Sequence, residues 1–200
     1  LALQLLNTLD FPLAAPSANP FGYTSPTTAE HVLAQLDDKL RYILDGGSCA
    51  IGLESTILDF SGPAPKILRL GGLSVEFLEE KLSQKLAIQT SSSNPKAPGM
   101  LSSHYNPGVK VLVGTVDRLI SEQVDKRIGV LVFTTMHASI DPSLHRVLSP
   151  SGDLAEAARN FFTMLRDFNH LPVDVVLAEW LPDEGLGRAI NDRLKRAATD

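Results

Sequence analysis

Ile128-Gly129-Val130-Leu131-Val132-Phe133 is a run of nearly continuous apolar character. A strand with one wet face alternates apolar and polar residues, whereas a strand covered on both faces does not. The run therefore predicts a strand buried between two layers. Similar stretches flank it at Val109–Val113 and Val173–Ala178. Between them the period changes to that of a helix. Val116–Val124 reads as one helix, and Leu154, Ala157, Ala158, Phe161, Leu165 and Phe168 recur at helical spacing in another. A last helix, Gly187–Ala197, sets Ile190, Leu194 and Ala197 in line. Alternating helices and two-sided apolar strands predict a small parallel α/β, Rossmann-like domain over residues 109–200. No Gly-x-Gly-x-x-Gly follows its first strand, so the dinucleotide fingerprint is lacking.

The first half reads as an α+β sheet domain instead. Leu1–Leu9 looks like a helix entered midway, with no cap. Phe11–Ala15 predicts a short buried strand ending in a Ser17-Ala18-Asn19 turn. Thr27-Thr28-Ala29-Glu30 has the form of a capping box, with Thr27 accepting from first-turn amides and Glu30 reaching back. Its helix carries Val32, Leu33 and Leu36 on one face, and Leu40–Leu44 adds an apolar-periodic turn before Gly46-Gly47. Strands are predicted at Ser48–Ile51, Ser55–Phe60 and Lys66–Leu70, joined by turns such as Ser61-Gly62-Pro63. Ser74 then caps a helix carrying Val75, Leu78 and Leu82. The whole chain is therefore of α/β class, divided into 1–88, a linker at 89–108, and 109–200.

The linker is the odd piece. Thr90-Ser91-Ser92-Ser93-Asn94-Pro95 is Ser-rich and breaks every pattern. Yet Pro98-Gly99-Met100-Leu101-Ser102-Ser103-His104-Tyr105-Asn106-Pro107 follows, with an imidazole and a phenol side by side between prolines that fix the backbone. Either the pair pins the linker to a domain surface, or the segment folds over a site and closes it.

Bulk properties narrow the function. With 200 residues, 44% of them hydrophobic and 20% charged, the chain is long enough for a sizeable core. A formal net charge of −5 without a Lys/Arg cluster argues against tight grip on a nucleic-acid backbone. Cys49 is the sole cysteine, which removes an internal disulfide and any cysteine-based zinc site. The histidines do not fall in metal-ligand spacing, no apolar run reaches membrane-spanning length, and no leader opens the sequence. A reducing, cytoplasmic setting is the default. His137, His145 and His170 read as loop residues with no partner nearby in sequence.

Several residues are suited to chemistry, each with a plainer reading beside it. Ser17 and Asn19 offer a hydroxyl and a carboxamide in a tight turn, or simply end a strand. Ser25 lies ahead of a helix, where it serves an anion or an ordinary cap. Glu54-Ser55-Thr56 interrupts apolar segments. In a strand, Glu54 and Thr56 would share one face and Ser55 the other, its hydroxyl held by backbone or aimed at a ligand. Arg69 ends a strand before Gly71-Gly72, where its fork suits a phosphate or carboxylate, or a salt bridge.

Taken in order, Pro12-Leu13-Ala14-Ala15-Pro16-Ser17-Ala18-Asn19, Ser25-Pro26-Thr27-Thr28, Gly52-Leu53-Glu54-Ser55-Thr56-Ile57, Ile67-Leu68-Arg69-Leu70-Gly71-Gly72 and the Pro-Gly-Met…His-Tyr-x-Pro linker resemble the YrdC-type threonylcarbamoyl-adenylate synthases in their long, two-domain form. The tail Gly185-Leu186-Gly187-Arg188-Ala189-Ile190-Asn191-Asp192-Arg193 resembles that family's C-terminal end. The resemblance implies a YrdC-like twisted sheet for residues 1–88. It implies a reaction in which L-threonine, bicarbonate and ATP give L-threonylcarbamoyl-adenylate and pyrophosphate, with Mg2+ accompanying the nucleotide. The product serves modification of an adenosine in tRNA, which makes the threonylcarbamoyl-transferring enzyme an expected partner. By the same resemblance Ser17, Asn19, Ser25 and Arg69 bind ATP, His104 or Tyr105 covers it, and Ser55 and the backbone near Ala15 take L-threonine. No residue is expected to act as a covalent nucleophile. The family's Lys-x-Arg phosphate element is absent, so the chain is expected to be a fragment with little activity alone. Two other readings stay open: a non-catalytic nucleotide- or RNA-binding module, and an interaction protein recruiting its partner through the C-terminal domain.

Overall fold

The computed structural model describes residues 1–90, 98 and 104–199. The Ser91–Ser93 and Met100–Ser103 parts of the expected linker lie outside the described residues. The second half forms a four-stranded sheet of β4 (Lys110–Val113), β5 (Ile128–Val132), β6 (His145–Val147) and β7 (Val175–Ala178), taking the element numbers from chain order. All its neighbours pair in parallel, in the order β4-β7-β5-β6. α4 (Val116–Glu122) covers one face, where Val116 packs with Val130, Val132, Val175 and Leu177. α5 (Leu154–Asp167) and α6 (Gly187–Ala197) cover the other, where Phe161, Phe162, Leu165, Ile190 and Leu194 meet Val111, Leu131 and Val176. Two-sided cover is why β5 is buried at every position. Gly129 leaves room for Phe168, whose ring would lie 2.7 Å from a Cβ there.

Strand β6 was absent from the sequence reading because its His145-Arg146-Val147 is short and mostly polar. His145 is accordingly not a loop residue. Its Nε2 accepts from the His137 N–H at 3.0 Å, and His137 Nε2 lies 2.6 Å from Asp117 Oδ1, so both imidazoles have partners the linear sequence did not reveal.

The first half contains α1 (Ala2–Leu6), α2 (Ala29–Leu36), β1 (Ile57–Asp59), β2 (Lys66–Arg69), α3 (Val75–Leu82) and β3 (Ala87–Ile88). β1 pairs antiparallel and β3 parallel to the central β2. Ser74 caps α3 as expected, its side chain accepting from the Phe77 N–H. The cap of α2 lies one residue later than expected: Thr28 accepts from the His31 N–H, while Thr27 is buried with its hydroxyl 2.8 Å from that of Thr163 on α5. Phe11–Ala15, Leu40–Leu44 and Ser48–Ile51 have no regular structure, and Phe11, Leu13, Leu44 and Ile51 are exposed. A strand needs a neighbouring strand to take its backbone bonds, and among the described residues none pairs with these segments; the Cys49 N–H goes instead to the Thr27 carbonyl at 2.9 Å.

The two halves are tightly joined. Gly52, at φ +79°, lies so close to α5 that a Cβ would fall 2.4 Å from the Ala158 carbonyl oxygen. Arg159 donates to the Ala50 carbonyl at 3.1 Å and Arg166 to that of Thr24 at 2.7 Å. Among the described residues no helix is long and apolar enough to cross a membrane.

Candidate active site

The segment ahead of β1 is drawn against the segment after β2. Gly72 N–H donates to the Glu54 carbonyl at 2.9 Å, and the Thr56 hydroxyl clasps both backbone groups of Leu73. Gly71 permits the approach, because a Cβ there would sit 2.4 Å from Glu54 O, Ser55 C and Thr56 N. Glu54, Ser55 and Thr56 therefore precede the strand that sequence reading begins at Ser55, and each turns to a different partner.

Ser55 turns to Arg69. The guanidinium donates through Nε to the Ser55 carbonyl and through Nη2 to its hydroxyl, each at 2.9 Å. Nη1 has no partner among the described residues, and the side chain is half-buried. Glu54 turns inward. It accepts from the Ser25 hydroxyl at 2.7 Å on one oxygen and from Arg193 Nε at 2.9 Å on the other. Arg193 projects from α6, is fully buried, and also donates to the carbonyls of Leu70 and Ala189. Burial raises the Glu54 carboxyl, but the Arg193 charge and the Ser25 hydroxyl outweigh it and hold the group below its ordinary value. Burial likewise opposes the Arg193 charge, and Glu54 more than restores it.

Above this pair sits the end of the linker. Tyr105 is 2% exposed and adopts φ +67°, a left-handed conformation unusual for a bulky residue. Its ring packs 5.3 Å from that of Phe162 and lies 5.6 Å from the Arg193 guanidinium. Burial pushes its phenol up to about 12, so it is a neutral donor at physiological pH. His104 stacks edge-on against Tyr105 at 4.2 Å and Phe21 at 6.0 Å. Burial lowers the His104 imidazole, and Arg196, Arg193 and Arg69 lower it further against Glu54, so the ring is neutral too. Its Nδ1 is buried without a hydrogen-bond partner among the described residues, as is Asn19 Oδ1. The pair is anchored on both sides: His104 N–H donates to the Arg196 carbonyl at 3.3 Å, and Asn106 N–H to that of Gly22 at 2.8 Å. Asn19 shapes the opposing turn by donating to the carbonyls of Pro20 and Tyr23, each at 3.0 Å.

The structure thus brings Ser25, Ser55, Arg69, His104 and Tyr105 into one neighbourhood, with Asn19 at its edge. Ala15 and Ser17 lie in exposed irregular backbone, and no side-chain bond links Ser17 to the cluster among the described residues. Sequence reading missed Arg193 as a part of the site. Its signal was present, as a charge inside the apolar stripe of Ala189, Ile190, Leu194 and Ala197. Among the described residues no group of three His, Cys, Asp or Glu side chains could hold a metal ion. Glu54, already shared by Ser25 and Arg193, does not fit a resident Mg2+.

The buried Glu54–Arg193 pair, the half-buried Arg69 fork beside it and the packed His104 and Tyr105 rings form one polar cluster where the two halves meet. The family model described as "Threonylcarbamoyl-AMP synthase, C-terminal domain" matches residues 73–199, and one described as "Telomere recombination" matches residues 1–71. The chain belongs to the threonylcarbamoyl-AMP synthase family. It is 36% identical to the threonylcarbamoyl-AMP synthase of Pyrococcus abyssi, over 99% of this chain and 61% of that protein. The Bacillus subtilis enzyme of the same name matches equally, at 36% identity over 99% and 60%. A crystal structure of P. abyssi Sua5 complexed with L-threonine superposes with a TM-score of 0.87 at 36% identity, covering 98% of this chain and 61% of that one. A variant of the same protein, with a neighbouring histidine and tyrosine both replaced by alanine, superposes with a TM-score of 0.84. The chain spans about 60% of the length of these relatives.

Proposed function

We propose that this chain supplies part of the active site of an L-threonylcarbamoyl-adenylate synthase, which joins L-threonine, bicarbonate and ATP with release of pyrophosphate. The observation that carries the reading is the direct contact of Arg69 with Ser55. In the reaction a carbamate oxygen of carboxylated threonine bonds to the α-phosphorus as the bond to pyrophosphate breaks. The amino-acid handle and the phosphate handle must therefore be neighbours. Ser55 is assigned to L-threonine, with the backbone near Ala15, and Arg69 to the adenylate phosphate through its unpaired Nη1. Ser17, Asn19 and Ser25 are assigned to the nucleotide side, and the neutral His104-Tyr105 pair to covering it. Catalysis is then a matter of positioning and of offsetting charge on the α-phosphate, with Mg2+ accompanying ATP. Residues 1–88 act as part of the catalytic domain, 89–108 as the closing linker and 109–200 as the domain that seats it. The product passes to an enzyme that transfers the threonylcarbamoyl group to tRNA, in the cytoplasm.

The test is direct binding. Arg69→Ala should weaken ATP about 10-fold or more, the loss of one charge-assisted contact, and leave L-threonine nearly unchanged, while Ser55→Ala should do the reverse. Both variants weakening ATP alone would sink the assignment. Mass spectrometry of the protein with ATP, L-threonine and bicarbonate reads the product itself.

A further inference from the structure

All four strands of the C-terminal sheet end at one edge, and there the connections part. β4 leads to α4 on one face, while its neighbour β7 leads to α6 on the other. Adjacent strands whose outgoing loops diverge leave a crevice, and ligands of open α/β sheets bind in such crevices. A cleft of about 370 Å³ opens at this place, lined in part by Thr115, Asp117, Thr135, His137, Glu179 and Trp180.

Its walls are tied to one another. Glu179, just after β7, accepts from the Phe133 N–H at the end of β5. His137 bridges to Asp117 at 2.6 Å, and its own backbone N–H is held by His145. The opening is therefore set before a ligand arrives, which lowers the cost of binding. None of these bonds serves the Glu54–Arg69 cluster.

The lining chemistry selects among ligands. Two carboxylates face the cleft, and no Lys or Arg is among the described residues that line it, so a phosphate would be repelled rather than held. Glu179 Oε2 has no partner among the described residues. Thr115 stands at the N-cap of α4 yet makes no capping bond, which leaves its hydroxyl available. Trp180, 49% exposed, adds an aromatic wall. Acceptors for hydroxyl donors beside an indole suit a flat base carrying a hydroxylated sugar.

We propose that this cleft binds an uncharged nucleoside, the base lying against Trp180 and the sugar hydroxyls donating to Glu179 and Asp117. Trp180 is the only tryptophan of the chain, so its fluorescence reports this site alone. Titration with adenosine should quench it saturably, and AMP and ATP should bind more weakly because of their phosphates. Glu179→Gln, which keeps an acceptor for Phe133, should raise the adenosine Kd about 10-fold or more. Thr135→Leu, an exposed position narrowing the cleft, should do likewise and decides the matter if the first variant fails to fold. Arg69→Ala should change nothing in this titration. The proposal is overturned by quenching that does not saturate at millimolar adenosine, by AMP binding as well as adenosine, by an aromatic amine such as tyramine outcompeting it, or by folded variants that bind normally.

Discussion

Glu54 and Arg193 form the contact on which the candidate site rests, and its energetics follow from burial. A pair of opposite charges inside a protein adds little net stability, but removing one member leaves the other uncompensated, at a cost of roughly 3–5 kcal/mol. Glu54→Gln should therefore lower the urea midpoint sharply. The pH dependence has a definite sign. The Glu54 carboxyl is held below its ordinary 4.5 in the folded state, so its contribution is complete above that pH and is lost as the pH falls through the folded value. Acid unfolding of the Gln variant should show a flatter limb in that window. Tyr105 behaves oppositely. With a folded value of about 12, its contribution is whole below the ordinary 10.0 and fades between the two as the pH rises. Of the three tyrosines, one should ionise late in an ultraviolet titration, and Tyr105→Phe should remove that late step.

Helix α3 tests capping. Ser74→Ala removes the bond to the Phe77 N–H and should cost about 1 kcal/mol in a thermal melt. The same helix shows what sequence conveys well, since a cap and an apolar stripe are local signals. β5 and β7 were readable because cover on both faces removes polar residues from the strand itself, and α6 by its own apolar stripe. Sequence conveyed the first half less well. Phe11–Ala15 and Ser48–Ile51 carry the composition of strands, but a strand exists only where a neighbour takes its bonds, and neighbours are not written locally. The site was legible as single residues. Ser25, Ser55, Arg69, His104 and Tyr105 could each be picked out, yet nothing near them in sequence showed that Ser55 and Arg69 touch. Arg193 lies 139 residues from the carboxylate it pairs with, beyond the reach of any spacing argument.

In the molecule as a whole, α6 belongs to both halves. It packs with the C-terminal core through Ile190 and Leu194, while Ala189 joins the first-half cluster of Ile67, Leu70, Val75 and Leu78. Arg188 adds an ion pair to Glu76 on α3. One substitution separates the two roles. Arg193→Leu should cost roughly 3–5 kcal/mol in the 200-residue chain, where it strands Glu54. In residues 109–200 made alone, Arg193 has no Glu54 to meet and the same change should stay within about 0.5 kcal/mol. Paired urea melts compare them, and equal losses in both would show that the arginine serves the C-terminal domain only. The separation of the two partners also has a meaning in time. A ribosome adding about 5–20 residues per second delivers Arg193 some 7–28 s after Glu54. For that interval the carboxylate has no counter-charge, and the first half cannot bury it at low cost. The Glu54–Arg193 pair thus forms only once α6 has been made, and a nascent chain halted before α6 holds Ser25, Ser55 and Arg69 without the arginine that pairs with Glu54.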